Sequence, residues 1–203
     1  PIARLMASFC DLTKTSIKML DPGCGTAILS CALIEHLVEA HEMEKIDLVA
    51  YETDLELIPY SKKVLDYLQA WLQHKGIHFN YILHNADFVL ENAIVLKENS
   101  VPSLFEETKI VDKNFDIIIS NPPYFKLSKD DKRVIVSQAL VSGQPNIYSF
   151  FMGIAAKLLS ENGELIFITP RSFASGNYFR AFRELFFNKV QIGKIHLFNS
   201  RKD

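Results

Sequence analysis

"SIKMLDPGCGTAILSCALIEHLVEA" (16–40) runs through three patterns without a spacer. "SIKML" (16–20) is a short apolar run, "DPGCG" (21–25) has the composition of a turn, and "AILSCALIEHLVEA" (27–40) carries apolar residues at helical spacing. A strand, a tight turn and a helix in direct succession open a βαβ unit, whose next strand lies parallel to the first. Outward from this stretch the alternation repeats. "IDLVAYE" (46–52) predicts a second buried strand, and "LELIPYSKKVLDYLQAWLQH" (55–74) predicts a long amphipathic helix with Pro59 in its first turn. "FNYIL" (79–83), "FDIII" (115–119), "ELIFITP" (164–170) and "KIHLF" (194–198) predict strands three to six. Helical "IYSFFMGIAAKLL" (147–159), stopped by Asn162-Gly163, and "YFRAFRELFF" (178–187) separate the last three. The expected fold is α/β and Rossmann-like: a mostly parallel sheet with helices on both faces. Ligands of such sheets bind at the carboxyl ends of the strands, near the switch in strand order. The stretch 88–114 has the poorest pattern and reads as an insertion with a short hairpin or helix turn.

The 203 residues suit one domain, and 48% hydrophobic content gives that domain a real core. No apolar run reaches the ~20 residues of a membrane span and no leader pattern opens the chain, so no membrane is expected. Cys10, Cys24 and Cys31 are odd in number and lack CxxC spacing, which fits neither a disulfide framework nor a zinc site. A reducing, cytoplasmic setting is the expectation. Charge is uneven along the chain. Residues 1–120 hold 10 basic and 18 acidic residues, whereas 121–203 hold 12 and 6. Such a break suits a second half that faces a polyanion.

Gly23 and Gly25 in the first turn permit close backbone approach to a ligand, yet neither GxxxxGK[ST] nor a full GxGxxG is present. Asp21 stands at the mouth of the turn. A carboxylate there repels a pyrophosphate and attracts an ammonium or sulfonium, which favours S-adenosylmethionine over a dinucleotide. Strand two ends at Glu52, where an acid can take both ribose hydroxyls. Asp54 follows and has its own explanation as a helix N-cap. After strand three comes "NADF" (85–88), in which Asp87 can accept from an adenine amino group and Phe88 can pack on the adenine face. Taken singly, Asp87 also reads as a solvated turn and Phe88 as a core residue. Three carboxylates at three successive strand ends make the stronger case.

"NPPYFK" (121–126) follows the fourth strand directly. Pro123 pushes Pro122 toward an extended conformation and Pro122 fixes its own φ, so the backbone is pre-set. The Asn121 side-chain oxygen and the Pro122 carbonyl then offer two acceptors to a planar amino group. Binding both of its N–H donors aims the nitrogen lone pair at an electrophile held in line, which is catalysis by orientation and fixed dipoles. Tyr124 supplies a stacking platform, worth ~1–3 kcal/mol for a nucleobase.

With these motifs in order, the chain resembles the amino-methyltransferases, most closely the N6-adenine DNA methyltransferases of restriction-modification systems. The likeness runs through "PIARLM" (1–6), "DPGCG", "YETD" (51–54), "NADF", "NPPY" and "NIYSFFMGIAAKLLSENGELIFITPRSF" (146–173). It implies the class I S-adenosylmethionine-dependent methyltransferase fold over 1–203, with a cofactor half (1–120) and a target-base half (121–203). It also implies cofactor binding by Asp21, Gly23, Glu52, Asp87 and Phe88, joined by Gly25 of the turn, and a target base held by Asn121, Pro122 and Tyr124. The pattern departs at Ala27, where many members carry Gly. Members flip the adenine out of the duplex at a cost of a few kcal/mol. Double-stranded DNA is therefore the expected partner, with Lys126, Lys129, Lys132 and Arg133 the first candidates for phosphate contacts, ahead of Arg171, Arg180 and Arg183. A seventh strand beside the sixth is not found, nor is a target-recognition domain, so the chain reads as a fragment whose full-length parent carries target recognition, with a nuclease open.

Two other acceptors keep the same chemistry: a glutamine amide of a translation release factor, and an RNA base. "FKLSKDDKRV" (125–134) is basic, which leans toward DNA over a protein loop. His74 and His78 straddle Gly76 and read as solvated rather than metal-binding, Trp71 reads as core, and Cys24 as a small loop filler.

Overall fold

The computed structural model describes residues 1–97, 113–143 and 145–198. Five strands form one sheet among them: β1 (Ser16–Asp21), β2 (Lys45–Glu52), β3 (His78–Asn85), β4 (Phe115–Ser120) and β5 (Leu159–Phe167). Their order is β3-β2-β1-β4-β5 and every neighbouring pair is parallel. The chain runs from the central β1 out to β3, then returns to the other side of β1 for β4. The switch in strand order thus lies between β1 and β4, and their carboxyl ends flank the crevice where such sheets bind ligands.

Both faces are covered, which is why the central strands read as near-continuous apolar runs. On one face Ile17, Met19, Ile46, Leu48, Ile117 and Ile119 pack against α1 (Ile2–Ala7), α2 (Ile28–Ala40) and α3 (Ile58–His74). On the other, Leu20, Val49 and Ile118 meet α6 (Ile147–Leu158) and α8 (Arg180–Phe187). The alternation Met19/Leu20 and Ile117/Ile118 is the period of two that a strand imposes. Phe150 and Phe182 are fully buried, each contributing roughly 1.5–3 kcal/mol by burial.

Helix boundaries follow local chemistry. Pro59 lies in the first turn of α3, where its missing N–H costs nothing. Gly76 takes φ +77 just past the end of α3, and the Ile77 amide closes back on the Leu72 carbonyl. Shorter helices fill the connections: α4 (Phe88–Asn92), α5 (Lys132–Val136) and α7 (Ser172–Ser175).

Two expectations are revised. Residues 194–198 form no strand. Lys194 pairs with Asp11 and the His196 ring packs at 6.2 Å from Phe9, but side-chain contacts do not make a ladder, and Ile195 and Leu197 are exposed. In addition, β5 begins at Leu159 rather than 164. The helix before it ends at Leu158, and Asn162 takes φ +60 inside a strand whose register shifts between Phe115 and Ile117. The helix turn expected in the stretch 88–114 is present in its first part, as α4 followed by a 3-10 turn at Ala93–Lys97, and residues 98–112 lie outside the described residues. No helix among the described residues is long and apolar enough to cross a membrane.

Candidate active site

Asp21 ends β1 and is fully buried. The Ser30 hydroxyl, in the first turn of α2, donates to its Oδ2 at 2.7 Å, while Oδ1 has no hydrogen-bond partner among the described residues. Burial pushes this carboxyl up to about 7, against the pull of the Ser30 bond. An unpartnered buried carboxylate oxygen beside a ligand crevice is a strong request for a cation or a donor.

The turn after Asp21 is stitched to the end of β2. The Cys24 amide donates to the Tyr51 carbonyl at 2.9 Å, and the Gly25 amide donates to Glu52 Oε2 at 2.9 Å. Gly25 takes φ +54, which a glycine adopts without steric cost. Its carbonyl accepts from the Ser61 hydroxyl of α3 at 2.5 Å. Ala27 also takes a left-handed conformation, φ +61, at the N-cap of α2. Glycine would suit this position, and the alanine occupies it with its methyl fully buried. The Cys24 thiol is buried, and that burial pushes it up, which suits a loop filler rather than a nucleophile.

Glu52 is half-buried with both oxygens at work, Oε2 on Gly25 and Oε1 accepting from the Asp54 amide at 2.8 Å. Each oxygen keeps lone-pair capacity for a further donor. Asp54 caps the turn before α3 by accepting from the Glu56 amide at 2.8 Å.

After β3, Asp87 is the N-cap of α4 and its Oδ1 accepts from the Val89 and Leu90 amides at 2.9 and 3.0 Å. Its Oδ2 lies 3.7 Å from Arg133 Nη1. Phe88 is not an open platform: only 1% of it is exposed, with Tyr51 edge-on at 5.4 Å and Phe151 tilted at 5.2 Å. The aromatic core on this face has closed around the ring. Arg133 is likewise occupied. It forks onto Asp131 at 2.9 and 2.6 Å and lies over the Phe125 ring at 5.6 Å. The structure therefore makes Arg133 a brace between the segment after NPPY and Asp87, whereas Lys126, Lys129 and Lys132 are exposed.

The elbow leaves β4 at Ser120. Its prolines are trans, Pro122 is buried and Asn121 is exposed. The Tyr124 hydroxyl lies 2.5 Å from Asn121 Oδ1 and 2.6 Å from the Ile168 carbonyl. The Tyr124 ring is half-exposed and meets Tyr148 edge-on at 6.2 Å. Burial pushes the phenol up to about 12, so it stays protonated. The Ile147 amide donates to the Phe125 carbonyl at 3.1 Å and the Leu127 amide to the Pro145 carbonyl at 3.0 Å, tying the elbow to the start of α6.

Asp21, Glu52, Asp87 and Asn121 thus follow four strands along one sheet edge, with Asp21 and Asn121 on adjacent β1 and β4. Reading the sequence missed Ser30, Ser61, Asp131 and Ile168. Ser61 left a signal, since it falls on the stripe Ser61, Leu65, Leu68, Leu72 that α3 buries. A polar residue on an apolar stripe has a specific partner or a cost. No group of three or more metal-ligating side chains occurs among the described residues.

Comparison with known proteins gives the geometry a family. Residues 28–202 match the model of the Eco57I restriction-modification methylases. The chain is 34% identical over 197 residues to the type II methyltransferase M.BsuBI of Bacillus subtilis, covering 95% of this chain and 36% of that protein. It is 28% identical over 201 residues to M.PstI of Providencia stuartii, covering 99% and 38%. A tRNA1(Val) (adenine(37)-N6)-methyltransferase of Haemophilus influenzae is 25% identical over 166 residues, covering 82% of this chain and 58% of that one. The chain spans a little over a third of the length of its two type II relatives. Among solved structures, a class I S-adenosylmethionine-dependent methyltransferase of Listeria monocytogenes superposes with TM-score 0.59 at 19% identity, over 91% of this chain and 47% of that one. The methyltransferase subunit of a type I restriction-modification system from Streptococcus thermophilus gives 0.58 at 20%, over 93% and 37%. These two likenesses establish the Rossmann-like class I methyltransferase fold. The chain belongs to the Eco57I restriction-modification methylase family.

Proposed function

We propose that this chain is the catalytic part of a DNA methyltransferase that transfers a methyl group from S-adenosylmethionine to the N6 amino group of an adenine flipped out of the duplex, as the modification component of a restriction-modification system. The observation that carries the reading is the adjacency of Asp21 and Asn121 at the ends of neighbouring strands β1 and β4. A cation site and an amino-acceptor site then share one crevice.

The residues present fit the cofactor. Asp21 Oδ1 is buried and unpartnered, and Glu52 holds the loop while keeping lone pairs for hydroxyl donors. Asp87 keeps Oδ2 off its own helix cap. When bound, S-adenosylmethionine supplies an electrophilic methyl on a sulfonium. The protein's part is to orient the acceptor: the Asn121 amide oxygen and the Pro122 carbonyl would take the two N–H donors and so fix the direction of the nitrogen lone pair. No side-chain base is required, because an arylammonium product loses its proton readily to water. Tyr124, half-exposed beside Asn121, offers its ring to the base. Lys126, Lys129 and Lys132 are exposed on the same segment for phosphate contact.

The test is to express the full-length parent in a host without adenine methylation and quantify N6-methyladenine in digested genomic DNA. Wild type should yield the modified base and Asn121→Ala should abolish it. A second reading, an RNA adenine acceptor, is favoured by the relative that acts on a tRNA adenine. It takes over if the modified base appears in RNA digests and not in DNA.

A further inference from the structure

The Tyr124 hydroxyl carries one proton and faces two oxygens, Asn121 Oδ1 at 2.5 Å and the Ile168 carbonyl at 2.6 Å. A phenol donates once, so both contacts cannot be donations from Tyr124. Served singly, the other would be an oxygen-oxygen contact with no hydrogen between. The amide of Asn121 resolves the conflict, because its oxygen and nitrogen are interchangeable in outline and are assigned from their partners. With the amide turned over, Nδ2 donates to the phenol oxygen and the phenol donates to Ile168. Both contacts are then hydrogen bonds, and Asn121 Oδ1 no longer faces the phenol.

Ile168 is well placed to anchor this arrangement. Its amide donates to the Ser120 carbonyl at 3.2 Å, continuing the β4–β5 pairing by one residue. Its carbonyl position is therefore set by the residue immediately before Asn121. The chain Ser120, Ile168, Tyr124, Asn121 forms a circuit around the elbow, with a backbone group at the Ser120 end, the side-chain amide at the Asn121 end and the Ser120–Asn121 peptide bond closing it.

We propose that the Tyr124 hydroxyl is a positioning group for Asn121: it receives the Asn121 amide N–H, gives its own proton to the Ile168 carbonyl, and so fixes Asn121 Oδ1 as an acceptor for the substrate amine. This rests on the amino-methyl-transfer reading given above and separates two parts of one side chain. The Tyr124 ring meets the base; its hydroxyl sets which end of the asparagine amide the substrate sees.

Tyr124→Phe keeps the ring and removes only the hydroxyl. In the full-length parent, kcat for methyl transfer to unmethylated DNA should fall about tenfold, since a misoriented acceptor costs rate more than binding. KM for DNA should stay within about twofold. A structural readout runs beside the kinetics. With selective 15N-asparagine labelling, the Asn121 side-chain amide, assigned by its loss in Asn121→Ser, should show one hydrogen-bonded proton in wild type that is lost in Tyr124→Phe. Unchanged kcat, or an amide signal indifferent to the hydroxyl, overturns the proposal. A fall in kcat with an unchanged amide signal also overturns it, since the hydroxyl would then act elsewhere. If wild type methylates no DNA, the substrate reading fails, and the amide experiment still decides the orientation.

Discussion

The Ser30 hydroxyl donates to Asp21 Oδ2 at 2.7 Å while Oδ1 has no partner among the described residues, so a fully buried carboxylate is only half satisfied there. Such a group is costly to ionise without a ligand. Burial holds it at about 7 in the folded chain, above its ordinary value of 3.8. Between those two values the folded chain holds a proton that the unfolded chain has lost, so this group's contribution to stability falls as pH rises through the window and is gone above about 7. Asp21→Asn should therefore raise the melting temperature by a few degrees at pH 8, and the gain should vanish toward pH 4. Thermal denaturation of both proteins across that range checks it.

The same carboxylate gives a binding prediction of opposite benefit. A cation beside Asp21 favours the ionised form, so affinity for S-adenosylmethionine should strengthen as pH rises through about 7 and a proton should be released on binding. Asp21→Asn should bind the cofactor more weakly and lose that pH dependence. Calorimetry in two buffers of different ionisation enthalpy measures both quantities. A pH-independent affinity would remove Asp21 from the cofactor site.

Glu52→Gln leaves one carbonyl oxygen where two oxygens now receive the Gly25 and Asp54 amides. One backbone donor then faces an NH2. Cofactor affinity should fall about tenfold, equivalent to ~1.4 kcal/mol. The same titration on the variant checks this, and an unchanged Kd would show that the loop does not need this acid.

Lys126, Lys129 and Lys132 differ from Arg133 in a way that DNA binding can read. Each lysine is exposed, whereas Arg133 is held by Asp131 with Asp87 nearby. Replacing each lysine by Gln should lower the slope of log affinity against log salt by about 0.9 for every phosphate that it had neutralised. Arg133→Gln should leave the slope nearly unchanged and instead loosen the segment 125–137, seen as faster amide hydrogen exchange. Fluorescence anisotropy over a salt series on the full-length parent separates the two.

Ala27 tests the loop's conformation. Glycine there relieves a left-handed strain of ~1 kcal/mol but removes a buried methyl worth about 0.8 kcal/mol and loosens the unfolded chain. Ala27→Gly should thus shift stability by less than about 1 kcal/mol. Ala27→Val, β-branched at φ +61, should destabilise by more than about 2 kcal/mol. Urea denaturation distinguishes them.

What the sequence disclosed and withheld has a physical pattern. Strands β1 to β4 were legible because their apolar runs are buried on both faces and bounded by turn residues, and the positions of Asp21, Glu52 and Asn121 on one sheet edge were legible because the first two end strands and the third directly follows one. Residues 194–198 misled for the same reason. An apolar run carries strand propensity, but a strand needs a partner ladder, and propensity does not report the partner. Phe88 and Arg133 were legible as types and not as environments. Whether a ring lies in a core or at a pocket wall depends on Tyr51 and Phe151, which sit elsewhere in the chain, and whether a guanidinium is spoken for depends on how the chain turns Asp131 toward it. Ile168 was invisible, since its contribution is a backbone carbonyl.

The strand order also sets a timetable. β1, β2 and β3 are consecutive and pair in sequence order, so a chain emerging from the ribosome can assemble the acid-lined edge once residues 16–90 or so are out. β4 reaches the far side of β1 only through the long-range pairings Met19 with Ile117 and Leu20 with Ile118, and Tyr124 meets Ile168 later still. The donor pocket is thus expected to take shape during synthesis before the acceptor elbow exists. Stalled nascent chains carrying the sequence to residue 97 or 170, each followed by a linker long enough to clear the exit tunnel and challenged with protease, should show protection of β1–β3 in both and of the elbow in the second alone.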